Sequence, residues 1–503
     1  MIPTADQADI GLLLEGTYPY VAGGVSTWVH EILRGLPEFR FGLIFLGGSR
    51  DSYGEMKYTL PPNVVHLERH YLMDDEAVET RRGSRGNPSA FADSAALHDY
   101  FRDPRHTLSS GLLDRLVEGF GTHRGISRDA FLHSELAWDQ IRQSYRSHCT
   151  DPSFLDYFWT VRTMHGPLFR LAQIARQAPR FRALHAISTG YAGFLGMLMQ
   201  RLGQLPLVLT EHGIYTKERQ IDLAHADWIR DLREVFGGSL DDDVSYVRRL
   251  WIRFFEGIGR LAYASADPII SLYEGNRQRQ ILDGAEAGRT RIIPNGIALN
   301  RFSPLRAQRP REIPKVLGLI GRIVPIKDIR TFIRAMRTVC NRLPDAEGWI
   351  IGGEEEAPEY ATECQALVES LGLSGRVKFL GFQPPEEVLP KLGLLVLTSI
   401  SEALPLVVLE AFASGLPVLV TDVGSCRELV EGRNPEDHAI GTAGSVVSIA
   451  DPEATARAAV ELLTQPARWQ AAQASAIARV ERYYTEAQMF DAYRAIYSSV
   501  LGM

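Results

Sequence analysis

Two glutamates stand eight positions apart in the stretch SEALPLVVLEAFASGLPVLVTDVGS, residues 401–425, at the opening of a predicted helix. Eight residues make a little over two helical turns, so side chains at that spacing fall within roughly 80° of one face. With Glu402 just ahead of the helix and Glu410 inside it, both carboxylates can address one crevice while Leu406, Val407, Leu409 and Phe412 pack. Spacing alone also fits a solvated helix face. The run LPVLVTD that follows is short, apolar and β-rich, and reads as a buried parallel strand ending at Asp422 and Gly424.

Arg322 and Lys327 lie in GRIVPIKD, directly after another apolar run. A diphosphate needs fixed donors, which a planar guanidinium fork and a compact ammonium supply together. Gly23 and Gly24 precede a predicted helix, and glycine amides at a helix start form a natural anion site, although a Gly-Gly pair is also an ordinary turn. His185 in ALHAISTGY and His212 in LTEHGIYT end successive predicted strands; each also reads as a satisfied core histidine. Glu211 and Lys217 belong to the His212 patch. The triplet Asp241 to Asp243 has the hard oxygen ligands of a divalent cation site, but it sits in a charged stretch away from any strand end and reads as a solvated helix start. No metal site is expected.

These residues need a scaffold larger than one core. At 503 residues the chain exceeds the size at which a single core keeps growing, and 45% hydrophobic with 23% charged residues is ordinary globular composition. A net charge of −7 gives no basic field for nucleic acid. No apolar run reaches the length of a membrane span, and MIPTADQADIGLLLEG lacks a basic segment ahead of an apolar one, so a cytoplasmic chain is expected. The four cysteines, 149, 340, 364 and 426, have neither metal-ligand spacing nor disulfide-scaffold density.

DIGLLLEG, a Gly/Pro/Tyr loop and a helix over about 26–36 form a strand–loop–helix unit, and FGLIFLGG supplies a second strand. Residues 50–165 lose the β/α alternation and read as an insertion of amphipathic helices, mobile around 76–95. Alternation resumes with RALHAIS and LPLVLTEHG. A proline-punctuated linker with Pro294, Pro304, Pro310 and Pro314 precedes a second unit in which VLGLIGR, WIIGGE, VKFLGF, LLVLTS and PVLVTD are strands between helices.

In these segments the chain resembles the retaining nucleotide-sugar glycosyltransferases of family 4, with the two-domain GT-B architecture. The resemblance is carried by Glu402, Glu410, GRIVPIKD, the PNGI turn at 294–297 and the GGV loop at 23–25, and LLLEGTYPYVAGGVSTWVHEIL with LTEHGIYTKER looks like the PelF-type branch of Pel exopolysaccharide synthesis. It implies an α/β fold of two Rossmann-like doubly wound domains facing a central crevice. The N-terminal acceptor-side domain covers 1–300, and the C-terminal donor domain 301–484. The final helix, about 485–503, packs back on the first domain.

By the same resemblance Glu410 accepts from the ribose hydroxyls, and Glu402 stands beside the donor sugar and supports positive charge at the anomeric carbon. The loop backbone of Ala403, Leu404 and Pro405 lies against sugar and phosphate, and His185 sits near a donor sugar hydroxyl. Arg322 and Lys327 hold the diphosphate, which Gly23 and Gly24 approach on domain closure. Glu211, His212 and Lys217 are candidate acceptor contacts. The implied activity is metal-independent transfer of a hexose, with UDP-glucose as donor and no separate cofactor, to a growing exopolysaccharide. The acceptor hydroxyl attacks from the face the phosphate leaves. A UDP-N-acetylhexosamine donor stays open. The expected partner is a membrane-embedded export complex, with peripheral attachment at the inner membrane as one option. Competing readings are a transferase for a small soluble acceptor, a non-catalytic nucleotide-sugar-binding subunit, and a GT-B-type epimerase.

Overall fold

A computed structural model describes all residues except 1–2, 75–85, 104, 107, 150–152 and 225–245, and leaves the side chains of 220–224 undescribed. Asp241 to Asp243 therefore lie outside the described residues.

The chain divides into two compact units. The first comprises Met1–Ser271, Arg277–Arg291 and Arg494–Met503; the second comprises Leu272–Asn276 and Ile292–Tyr493. In the first, strands β1 (Gln7–Glu15), β2 (Phe41–Gly47), β3 (Val64–Tyr71), β4 (Arg180–Ala186), β5 (Leu207–Glu211), β6 (Ile269–Ser271) and β7 (Thr290–Ile292) form one sheet in the order β3-β2-β1-β4-β5-β6-β7. Its pairings from β3 through β6 are parallel. In the second unit, β8 (Val316–Ile320), β9 (Glu347–Ile351), β10 (Val377–Phe379), β11 (Leu394–Leu397), β12 (Val418–Thr421) and β13 (Gly444–Val447) form a parallel sheet in the order β10-β9-β8-β11-β12-β13. Both are doubly wound. Strand order reverses beside β1 and β4 in the first sheet and beside β8 and β11 in the second, and such switch points open crevices at the carboxyl ends of strands.

Apolar strands on both sheets are covered by helices, as buried parallel sheets require. Leu12, Leu13, Ile44, Leu184 and Leu209 are sealed in the first core, and Leu319, Ile350, Val396 and Leu419 in the second. A fully enclosed ion pair, Arg479 Nε to Asp437 Oδ1 at 2.6 Å, fixes the helix Pro466–Tyr483 to the second core. The remaining guanidinium hydrogens of Arg479 go to the carbonyls of Leu429, Val430, Asp437 and Gly441.

Three details differ from the sequence expectation. Residues 64–71 form an edge strand inside the stretch read as insertion: in VVHLERHY the residues Val64, His66 and Leu67 are buried, and only Arg69 is exposed. The helical insertion therefore lies between β3 and β4, in helices Pro88–Arg102, Ser110–Gly119, Arg128–His133, Glu135–His148 and Phe154–Gln177. The unit boundary falls at Ile292 rather than 301, because Ile297 already packs in the second core. Of the terminal helix Glu486–Leu501, only the part from Arg494 groups with the first unit, through Arg182 to the Leu501 carbonyl at 2.9 Å and His185 to Tyr497.

Candidate functional site

At the second unit's switch point two loops are tied together. Thr398 Oγ1, just past β11, donates to the carbonyls of Lys327 and Asp328 at 3.0 Å, and the Ile400 amide donates to the Ile326 carbonyl at 2.9 Å. The loop after β8 is thus held against the loop after β11. Asp328 caps the helix Ile329–Arg342, accepting from the Thr331 amide at 3.2 Å and its hydroxyl at 2.6 Å, and this fixes Lys327 just ahead of the helix.

Lys327 Nζ lies 2.5 Å from Glu402 Oε1, and Ser399 Oγ donates to the same oxygen at 2.6 Å. Glu402 Oε2 takes neither bond. Residues 402–405 run into the helix Leu406–Ala413 over Gly424, whose φ of +56° suits glycine. A Cβ at Gly424 would stand 2.1 Å from the Glu402 carbonyl oxygen, so only glycine lets the two loops approach this closely. The Ser425 amide then reaches the Ala403 carbonyl at 2.9 Å. Leu404 is buried and Pro405 forms the helix N-cap position.

Glu410 lies within the helix Leu406–Ala413 and accepts no hydrogen bond through its carboxylate among the described residues. Burial pushes its carboxyl up to about 7; Arg301 opposes the shift and Glu386 adds to it. Arg301 and Glu386 are themselves an ion pair. A half-buried carboxylate with open acceptor oxygens fits a ligand that donates hydrogen bonds, such as a vicinal diol. Arg322 is exposed and paired with Glu356, also exposed. A screened surface pair of this kind holds little energy, so the guanidinium can leave it for an anion at small cost.

In the first unit, Gly23 is the N-cap of the helix Gly24–Gly35 and both glycines are exposed. An added Cβ at either meets nothing within 4 Å. His185 does not have the accessible position expected of a sugar contact. It is fully buried on β4, with Nδ1 2.7 Å from Tyr497 Oη and Nε2 2.8 Å from Thr210 Oγ1. Burial and His212 push its imidazole down to about 3, so it remains neutral. His212 is buried too, and Trp28 lies edgewise to it at 4.6 Å; desolvation pushes it down to about 4.

Glu211 is likewise no surface contact. Its carboxylate accepts from Tyr263 Oη at 2.5 Å, Thr189 Oγ1 at 2.9 Å and Gln280 Nε2 at 3.0 Å, deep in the core, where burial raises its carboxyl. It pins the end of β5 to neighbouring helices. Lys217, in the helix Tyr215–Ala224, is exposed. Among the described residues no group of three or more His, Cys, Asp or Glu is placed to hold a metal ion, and no helix is long and apolar enough to cross a membrane.

Sequence reasoning missed Thr398 and Ser399, the residues that orient the site. Their signal was visible: two hydroxyls close an otherwise apolar strand, LLVLTS. It also missed Glu15 at the end of β1, which accepts from Tyr215 Oη at 2.7 Å, Ser188 Oγ at 3.1 Å and the Ala192 amide at 3.1 Å.

The model of a family described as a domain of unknown function (DUF3492) matches residues 8–288, and that of glycosyl transferases group 1 matches residues 314–465. The chain is 34% identical to the D-inositol 3-phosphate glycosyltransferase of Corynebacterium jeikeium over 30% of its own length and 41% of the relative's. It is 30% identical to the lipopolysaccharide core biosynthesis mannosyltransferase LpsB of Rhizobium meliloti, over 43% and 65% of the two chains. It spans about half the length of the curated relatives it matches. Anabaena HepE in complex with UDP and glucose aligns over 97% of this chain and 99% of its own, with 16% identity and a TM-score of 0.58. The fold is GT-B, with two parallel-sheet α/β domains.

Proposed function

Because the chain belongs to the DUF3492 family and continues into a glycosyl transferases group 1 domain, we propose that it is a metal-independent retaining glycosyltransferase that moves glucose from UDP-glucose to a growing exopolysaccharide, as the PelF-type branch does. The observation that carries the reading is the tied pair of loops at the second switch point, which brings Lys327 and Glu402 together. Ligands of doubly wound sheets bind at such points.

In this reading Lys327 and Arg322 take the diphosphate, the charged hydrogen bonds contributing about 1.5–3 kcal/mol each. Glu410 receives the ribose diol. The backbone of Ala403, Leu404 and Pro405 backs the sugar, and Glu402 supports positive charge developing at the anomeric carbon, where an oriented carboxylate acts without reorganising. Gly23 and Gly24 offer amides to an anion at the start of their helix. His185, His212 and Glu211 serve as buried supports of the first sheet, and Lys217 remains an acceptor-side candidate. The likeness to HepE with UDP and glucose supports a UDP-sugar, and a UDP-N-acetylhexosamine is the competing donor. The likeness to a D-inositol 3-phosphate glycosyltransferase supports a second reading with a small soluble acceptor. Attachment to a membrane export complex on the cytoplasmic side completes the exopolysaccharide reading.

A thermal-shift panel of UDP-, GDP- and ADP-sugars tests the donor, since a ligand of the folded state raises the melting temperature by mass action. UDP-glucose should give the largest shift. No shift with any of the three classes would end the transferase reading, and a larger shift with UDP-N-acetylglucosamine would replace the sugar. Turnover in EDTA should match turnover without it; loss restored by Mn²⁺ would overturn the metal-free reading.

A further inference from the structure

The insertion helices Pro88–Arg102, Ser110–Gly119, Glu135–His148 and Phe154–Gln177 line, together with the helices Tyr191–Gly203 and Tyr246–Ser265, a cavity of about 580 Å³ separate from the switch-point loops. This is the size of a small-ligand site, and such sites are mostly apolar with a few convergent polar groups. Leu113, Val117, Leu168, Phe194, Leu198 and Phe254 make the apolar side. Beside them the lining carries a polar stripe along one face of the helix Pro88–Arg102. There Ser94 Oγ meets Gln140 Nε2 at 3.5 Å, His98 meets His165, and Arg102, in a half-exposed ion pair with Asp99 that an incoming anion can replace at small cost, reaches Ser144 Oγ at 3.3 Å.

The two histidines make this wall chemically specific. His98 Nδ1 lies 2.7 Å from the Ser94 carbonyl oxygen, and His165 Nδ1 lies 2.7 Å from the Val161 carbonyl oxygen. A carbonyl oxygen only accepts, so the hydrogen-bond network assigns each Nδ1 its hydrogen. The two Nε2 atoms are then left facing each other at 2.9 Å, lone pair against lone pair unless one added proton sits between them. Burial pushes both imidazoles toward the neutral form, and Arg102 works in the same direction on His98 while Asp99 opposes it. A negative group beside the pair would hold the shared proton and turn the contact into an N–H···N bond. A neutral hydroxyl would not.

We infer that the insertion is a binding site for a single-chain anionic amphiphile, its chain against the apolar side and its carboxylate or phosphate end on the wall of His98, His165 and Arg102. This site is independent of the nucleotide-sugar reading, because its residues lie in the first unit and none belongs to the loops that carry that reading.

Calorimetric titration of the full chain with dodecanoate, dodecyl phosphate and dodecanol, without nucleotide sugar, tests it. Both anions should saturate one site and bind at least roughly tenfold more tightly than dodecanol, the size of one charge-assisted hydrogen bond. The tighter anion identifies the head group. Leu116→Trp, from a half-buried wall position, should abolish binding of all three; if that variant does not fold, Leu168→Phe fills the same space. His98→Leu should remove the advantage of the anions and leave dodecanol binding in place. Equal affinity for dodecanol and the anions, or binding unchanged by the filled cavity, would overturn the inference.

Discussion

Lys327 Nζ stands 2.5 Å from Glu402 Oε1, and this contact joins the loop that follows β8 to the loop that follows β11. Both side chains are largely covered, at 19% and 12% exposure, so bulk water does little to screen them. Removing one partner strands the other, which costs more than the pair itself contributes. Ser399 holds the same carboxylate oxygen at 2.6 Å. In the proposed reaction a diphosphate arriving at Lys327 replaces one anionic partner by another, and Glu402 stays oriented by Ser399.

Glu402→Gln keeps shape and hydrogen-bonding capacity while removing the charge. Interactions that act only in the transition state change rate and not ground-state affinity. Turnover of UDP-glucose should fall by roughly 10- to 1000-fold, or about 1.4 to 4 kcal/mol. UDP affinity should stay the same or rise, because Lys327 loses a competing carboxylate. Lys327→Ala should instead weaken UDP binding itself. Calorimetry with UDP beside steady-state kinetics separates the two, and equal turnover in the glutamine variant would remove Glu402 from the chemistry.

Glu410 predicts a pH profile of stability. Burial pushes its carboxyl up from 4.5 to about 7. Between those values the unfolded chain has released the proton that the folded chain still holds, so stability is complete below about 4.5 and is lost as pH rises toward about 7. The loss is on the order of 3 kcal/mol. Melting temperature recorded from pH 4 to pH 8 without ligand should fall over that window in the parent and lose this component in Glu410→Gln. Glu410→Ala should also weaken UDP binding while leaving pyrophosphate binding in place. A pH profile identical in parent and glutamine variant would contradict the burial argument.

Arg479 and Asp437 are both fully buried, and together they tie the helix Pro466–Tyr483 to the second core. Asp437→Ala leaves the guanidinium charged in a dry site, a change that costs about 3–5 kcal/mol. The unfolding transition of the second unit should drop by on the order of 10 °C, measured calorimetrically. The double variant Arg479→Met, Asp437→Ala should recover part of that drop, because it leaves no unpaired charge. A double variant less stable than Asp437→Ala would mean that the carbonyl bonds of Arg479 outweigh its charge.

Five of the six strands of the second sheet were legible as short runs bounded by turn residues, and the β8 and β11 loops follow from that order; β13 was not, because GSVV is only four residues long and opens on a glycine and a serine. Nor was the β3 strand, since VVHLERHY is an edge strand in which His66, Glu68, Arg69 and His70 dilute the apolar signal. The burial of His185 was hidden for a different reason. Its Tyr497 partner lies 312 positions along the chain, and local pattern carries no trace of a contact made at that distance. Glu211 behaves alike: as a strand-end carboxylate it resembles a ligand contact until Tyr263 and Gln280 fold onto it.

Gly424 gives the sharpest test of how far the site depends on the approach of its loops. Its φ is +56°, and a Cβ there would lie 2.1 Å from the Glu402 carbonyl oxygen and 2.7 Å from that of Ala403. Gly424→Ala therefore adds two costs. The left-handed conformation costs a non-glycine residue roughly 1–2 kcal/mol, and the clash with backbone must push residues 402 and 403 outward. Gly381 isolates the first cost, because its φ is +64° and an added Cβ meets nothing within 4 Å. Gly381→Ala and Gly424→Ala should both melt a few degrees lower, with UDP affinity close to the parent in each, since Arg322 and Lys327 keep their places. Only Gly424→Ala should lose turnover of UDP-glucose, by roughly 100-fold, as a displacement near 1 Å at reacting groups does. Equal loss in both variants would assign the effect to backbone strain, and full turnover in Gly424→Ala would mean that the Glu402 loop does not need this position to work.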